Sequence, residues 1–545
     1  MLVQGILCVF LLLYFYSFGI LFKKIFPESP ELNSYYLLSG FLTVSFIGLV
    51  TAFFFPLNIY YEIVLISISL VISIIHTHKI KSFLLSFKDL DKEFYLIIFI
   101  GLLIAITYPF ILDHFGYYIP TVKWLDFTGY QKGISNFSWV LVQNSLWHIL
   151  QASINETLDI SYRLNFILFI VYNIYVFEKR DFKLLIFNLL FILFINTPSP
   201  DLPIFVFSIV LINEYVKVKN KADYFLFIST FLVLIKSIAI ILPFYFLYEC
   251  IKNKNYKFDI KIIGILTLTV LFFLKNIVTS ANPIFPFVYG NFLNLDWSSP
   301  NIFYQISSQY GRFIPLKERF SYKEVIEMNS LKYLKNIFIS FHLRSIILSV
   351  EIVITLLLFF CSLIYKRFYQ FRILSFFLIL KTLIIVITSP QFRFLLDVLI
   401  LDLLIILIVY QFKKLNFRKW SIFLLIMILF VFNLSGVLKS NINSIATFTF
   451  IEPLKFENLL FPSNYEKVRY RKERLGNLDF NYSPYYIFMY NGDVPTLGGS
   501  DLTDILYNSN YLPQLINDKD LKEGFKSEKL NEDKKIVIEE ILNNK

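Results

Sequence analysis

Apolar runs of roughly 17–25 residues recur along most of this chain, divided by short polar or charged turns, and each is the length a helix needs to cross about 30 Å of hydrocarbon. Stretches such as 97–106 and 422–432 are apolar on every side. Barrel strands would alternate in polarity over about ten residues, so the pattern predicts helical spans. The turns between runs differ sharply in charge. Basic residues gather at Lys23 and Lys24, at Lys79 to Lys92, at Lys179 to Lys183, at Lys217 to Lys221, at Lys252 to Lys261, at Lys366 to Arg372 and at Lys413 to Lys419, whereas 56–60, 197–203 and 389–394 are nearly uncharged. Placing the basic turns in the cytoplasm predicts about 14 spans with both termini outside. The runs 224–235 and 238–248 are short, and a tight hairpin with Lys236 at its outer tip is expected, a single long helix being the alternative.

Three outer segments are too long to be turns: 113–162, 275–344 and a polar tail. The expected organisation is a polytopic transmembrane domain over 1–437, with outer loops 113–162 and 275–344, and a small extracytoplasmic domain over 438–545. Within the first loop, 136–155 mixes Trp139, Leu146, Trp147 and Leu150 with Gln143, Asn144 and His148, which predicts a helix lying in the interface with Trp at headgroup depth. The tail carries turn signals at Asn491-Gly492 and Gly498-Gly499 and is expected to end in a charged helix over 518–544.

Composition reinforces the membrane reading. Of 545 residues 57% are hydrophobic and 63 are Phe, and the mean hydropathy is +0.63, more apolar surface than a water-soluble core hides. The net charge of +11 sits in the inter-span clusters, so it is a topology signal and no nucleic-acid partner is expected. Cys8, Cys250 and Cys361 lie in or beside apolar runs and offer neither a disulfide framework nor a thiolate metal site. The first ten residues lack a basic region and a cleavage site, so they are expected to belong to a retained span. Nucleotide-binding patterns are absent, and no fixed-period repeat is visible.

Candidate chemistry lies at the outer ends of the spans, where ionisable groups are costly and need a partner or a purpose. Asp113 and His114 end the fourth span, and a carboxylate there can accept a proton from an acceptor hydroxyl. It can equally cap a helix or pair with Lys123. Asp201 follows the rigid turn Thr197-Pro198-Ser199-Pro200. Lys236, Lys275 and Arg393 share one expected depth, suited to a phosphate or pyrophosphate; pairing of Arg393 with Asp397 is the structural alternative. Glu351, Lys381 and Asp402 lie within apolar runs, where they would form a buried pair or line a polar path. His76, His78 and His342 have no metal-ligand spacing with acidic partners.

This arrangement resembles the GT-C class of polytopic glycosyltransferases. The segments 117–124 (YYIPTVKW), 144–152 (NSLWHILQA) and 282–286 (NPIFP) are similar to an uncharacterised bacterial membrane family placed near that class, and 512–515 with 521–525 resembles its closing segment, without the cysteines expected there. The resemblance implies an all-α multi-pass fold in the bacterial inner membrane, with its active site facing the periplasm. It implies transfer of a sugar from a polyprenyl-(pyro)phosphate donor to a glycan, lipid or protein acceptor. Asp113 would activate the acceptor and Asp201 would be a second acidic site. His114, Tyr117, Tyr118, Lys123, His148, Lys236, Lys275, Asn282 and Arg393 would contact substrate. The class places its key carboxylate after the first span, whereas three further spans precede Asp113 here. Some members need a divalent cation, and no Asp-x-Asp pair stands in these loops to assign one. A lipid-linked polysaccharide polymerase or ligase, using Arg312 and Arg319, and a flippase or transporter are the rival readings.

Overall fold

A computed structural model describes the chain except residues 219–220, 255–258, 318, 339–342, 411–414, 434–453, 464–469, 483, 485–488, 490–491, 518–519 and 544–545. His342, Asn491 and the expected boundary at 437/438 lie outside the described residues. The protein is predominantly helical, and among the described residues the strands, all short, lie in the tail. Among the described residues, five helices are long and apolar enough to cross a membrane: Leu2–Ile25, Asn33–Thr51, Ile260–Ser280, Ser345–Ile364 and Lys366–Thr388. A sixth crossing would come from Ile59–Ile75 and Thr77–Asp89, bent by 90°. The remaining apolar helices are shorter, among them Leu164–Lys179, Asp201–Lys217 and Leu396–Val409, and the first two are buried along most of their length.

Close backbone approach fixes the first pair. A Cβ on Gly19 would stand 1.8 Å from the Tyr36 carbonyl oxygen, and one on Gly40 would stand 1.9 Å from that of Phe15. Helices Leu2–Ile25 and Asn33–Thr51 therefore touch along their backbones, the contact that small residues permit inside membranes. One apolar core runs through the whole bundle.

Helices Ala222–Ile235 and Ile241–Lys252 pack against each other around an extended Lys236. The hairpin expected there is the arrangement found, and the single long helix is not. Segment 136–155 departs from expectation. It is broken into Ile134–Phe137, a turn over Trp139–Val142 and Leu146–Ala152. Both tryptophans have partners within the protein: Trp139 packs against Phe285 and edge-on to Tyr304, with ring centroids 4.4 and 4.8 Å apart, and buried Trp147 donates to Asn165 Oδ1 at 2.6 Å.

In the tail, β1 (Arg471–Leu475) and β2 (Leu478–Tyr482) form an antiparallel hairpin, β3 (Thr496–Leu497) pairs parallel to β2, and β4 (Tyr511–Leu515) pairs antiparallel with β5 (Phe525–Lys529). Buried Gln514 ties the two sheets, donating to the Leu475 carbonyl at 2.8 Å and accepting from the Asn477 amide at 2.9 Å. The terminal helix is Glu532–Asn543, shorter than the 518–544 expected, because β5 takes up the residues before it. The tail's core is shared. Phe525 packs on Trp124 and Phe137, with ring centroids 5.7 and 4.9 Å apart, and Phe285 and Tyr304 of the second outer segment join the same cluster.

Candidate functional site

Six charged side chains meet at one end of the helix bundle, and four of them were candidates from sequence. Asp201 opens helix Asp201–Lys217, where the helix N-terminus favours a carboxylate. Its Oδ2 accepts from Ser199 Oγ at 3.1 Å, and its Oδ1 is ion-paired with Lys236 at the hairpin tip. Arg393, in the turn before helix Leu396–Val409, is ion-paired with Asp113. Lys381 and Asp397 form the third pair, buried behind the other two. The Phe394 ring lies under Lys236, whose ammonium is 5.2 Å from its centroid.

Asp201, Lys236, Arg393, Phe394 and Asp397 line a small cleft of about 10 Å³, the room of roughly one water molecule. That is far below the roughly 300 Å³ at which sites for whole small ligands begin, so a larger anion enters only if the ion pairs around it part. Three carboxylates face three cations, and the resting cleft is electrically balanced. The partnerships differ from those expected: Arg393 bonds Asp113 rather than Asp397, because Asp397 faces Lys381 on the neighbouring helix, and Lys123 is not the partner of Asp113.

The wall beside Asp113 is aromatic. His114 Nδ1 lies 2.8 Å from Thr197 Oγ1, and Tyr118 Oη lies 3.4 Å from Ser199 Oγ, so the 113–118 turn is fastened to the Pro-rich turn preceding Asp201. His148 packs its ring against those of Tyr118 and Tyr117, at 5.0 and 5.9 Å. Burial pushes its imidazole down to about 3 and lowers that of His114 as well. Both are neutral rings at ordinary pH, so neither supplies a cation to a phosphate.

Three sequence candidates stand outside the cleft. Lys275 donates to the Asn144 carbonyl at 2.9 Å. Lys123 donates to the Gly492 carbonyl at 3.1 Å and lies 3.8 Å from Asp493, so it fastens the tail. Asn282 accepts from the Ile284 amide at 3.0 Å and donates to the Phe287 carbonyl at 2.9 Å, bracing its own turn. Each is consumed by nearby backbone, which explains its absence from the cleft.

Two contributors were missed or misread. Wholly buried Arg163 donates to the carbonyls of Ala105, Thr107, Ser161 and Asn196 at 2.5–3.0 Å, clamping the strand of chain before Asp113 to the turn before Asp201. Its signal was available: an arginine on the side that the charge bias leaves empty. Asp397 was visible only as a helical neighbour of Arg393. Among the described residues, the one group of three carboxylates close enough for a metal is Glu28, Asp223 and Asp259. The Lys261 ammonium already sits among them, 2.6 Å from Glu28 and 3.0 Å from Asp259.

These features define a multi-helix membrane protein with a charge-balanced polar cleft and a partly β-structured tail. Residues 1–400 match the model of a family described as a domain of unknown function, DUF8201, and the chain belongs to that family. No curated protein and no solved structure matches it.

Proposed function

We propose that this protein is a GT-C-like membrane glycosyltransferase that takes sugar from a polyprenyl-(pyro)phosphate donor and transfers it to a glycan, lipid or protein acceptor at the periplasmic face of a bacterial inner membrane. On this reading the shorter apolar helices bring the crossings to about 14. The single observation that carries it is the convergence of Asp201, Lys236 and Arg393 on one small polar cleft, with Asp113 joined to it through its ion pair with Arg393, although these residues are spread over 281 positions of sequence from 113 to 393. Arg393 and Lys236 would hold the donor phosphate and stabilise the charge left on it as the glycosidic bond breaks.

Charge balance gives this arrangement an order of events. A carboxylate bound to arginine is a weak base. An arriving phosphate competes for Arg393, releasing Asp113 to take the acceptor's proton only when donor is present. The test is transfer from a radiolabelled polyprenyl-phosphate sugar in proteoliposomes of the full chain. Asp113→Asn is expected to lower turnover at least 100-fold, the scale of general-base catalysis, with donor binding retained. Unchanged turnover removes Asp113 from the reaction. A flippase of lipid-linked glycans is the second reading, favoured by the buried acids Glu351 and Asp402; flipping without covalent product in the same liposomes would select it.

A further inference from the structure

Behind the cleft, two helices carry acids that the proposed reaction does not use. Glu351, on helix Leu343–Ile364, is 1% exposed, and neither of its carboxyl oxygens has a hydrogen-bond partner among the described residues. Asp402, on helix Leu396–Val409, is 0% exposed; its Oδ2 lies 2.6 Å from Thr355 Oγ1, and its Oδ1 has no partner among the described residues. The threonine hydroxyl also lies 3.0 Å from the Glu351 carbonyl. It has one proton, so if it donates to that carbonyl, Asp402 must supply the proton for the shorter contact.

An ionised carboxylate without donors in an apolar helix bundle costs several kcal/mol, and a neutral acid avoids that cost. Thr355 offers Asp402 one contact. Glu351 has none, and among the described side chains no unpaired cation faces it: Lys381 is held by Asp397, Arg393 by Asp113, and Lys332, Lys335, Lys366, Arg367 and Arg372 are exposed. Its helix packs against helix Leu396–Val409, which carries Asp397, and a negative charge on a packed neighbour holds a proton on an acid more firmly. Asp397, paired with Lys381, lines the cleft together with Asp201 and Lys236.

We propose that Glu351 is a proton-binding site in the interior of the bundle, linked through the Asp397–Lys381 pair to the charge state of the outer cleft. The linkage has a direction. Removing the Asp397 charge loosens the proton on Glu351, and an anion that draws Lys381 away from Asp397 tightens it. The proposal does not depend on sugar transfer; it would stand for a transporter equally.

Infrared difference spectra of the full chain in liposomes, recorded between pH 5 and 9, read this directly. Wild-type protein is expected to show a protonated-carboxyl carbonyl band at neutral pH that Glu351→Gln removes and Asp402→Asn leaves in place. In Asp397→Asn the same band is expected to disappear at a pH lower by about one unit or more. A Glu351→Gln spectrum that keeps every protonated-carboxyl band overturns the proposal. Should that variant not fold, a band in Asp397→Asn whose pH midpoint equals that of wild type overturns it instead.

Discussion

Arg393 faces two carboxylates and Asp113 faces one cation, so the two ends of this ion pair should respond unequally to neutralisation. Their side chains are 19% and 23% exposed. Removing one partner of a buried pair costs about 3–5 kcal/mol, and the remaining solvent contact brings that to about 2–3 kcal/mol. In Arg393→Gln, Asp113 loses its partner and Asp201 loses a second nearby positive charge, so the loss lies at the upper end of the range. In Asp113→Asn, Arg393 still has Asp201 within electrostatic reach, and the loss lies at the lower end. The double variant leaves the Asp201–Lys236 pair intact with neutral neighbours and should be more stable than Arg393→Gln alone. The expected coupling is about 1–3 kcal/mol. Average unfolding entropy per residue translates 3 kcal/mol into a Tm shift of about 3 °C for a chain of this length. Tryptophan fluorescence of the purified full chain during heating reads all four corners of the cycle. Shifts that simply add, with the double variant the least stable, would refute the mutual pairing of these groups and with it the charge balance of the cleft.

Two further perturbations address the tail. Gly133 adopts φ +63, and a Cβ there would stand 2.2 Å from the Phe525 carbonyl oxygen, so Gly133→Ala should detach β5 from the first outer segment, seen as faster proteolysis of the tail at 4 °C; a tail as resistant as wild type would contradict that docking. Burial raises the Asp501 carboxyl from 3.8 to about 6, so its folded form holds a proton more tightly than its unfolded form. The stabilisation is therefore complete below about pH 4 and lost as pH rises through about 6, to the extent of about 3 kcal/mol. Accordingly the Tm advantage of wild type over Asp501→Asn should be larger at pH 5 than at pH 8, and an advantage that grows with pH would reverse the sign of the argument.

Charge in this sequence is informative along one axis only. Bias in the loops assigns each helix end to a side, and the cost of an ion near hydrocarbon then singles out Asp113, Asp201, Lys236 and Arg393 as groups needing partners. That reasoning brings them to one end of the bundle, where they meet. It carries nothing about angle around a helix, and Lys275, Lys123 and Asn282 share the same end while satisfying themselves on the carbonyls of Asn144, Gly492 and Phe287. Partner choice was illegible for the same reason: Arg393 selects Asp113, 280 positions away, over Asp397 four residues along in the following helix, because Lys381 from a packed neighbour had already claimed the latter. The strands were more legible than the reading made them. Leu478, Phe480 and Tyr482 alternate with Asp479 and Asn481, inward against outward, over five residues, a period-two signal outweighed by the polar composition around it. Arg163 shows how the one-dimensional argument can be pushed further. A cation on the side that the bias leaves empty must be held by something, and here four carbonyls from separate segments hold it, making the exception to the rule the residue that ties the two acid-bearing turns together.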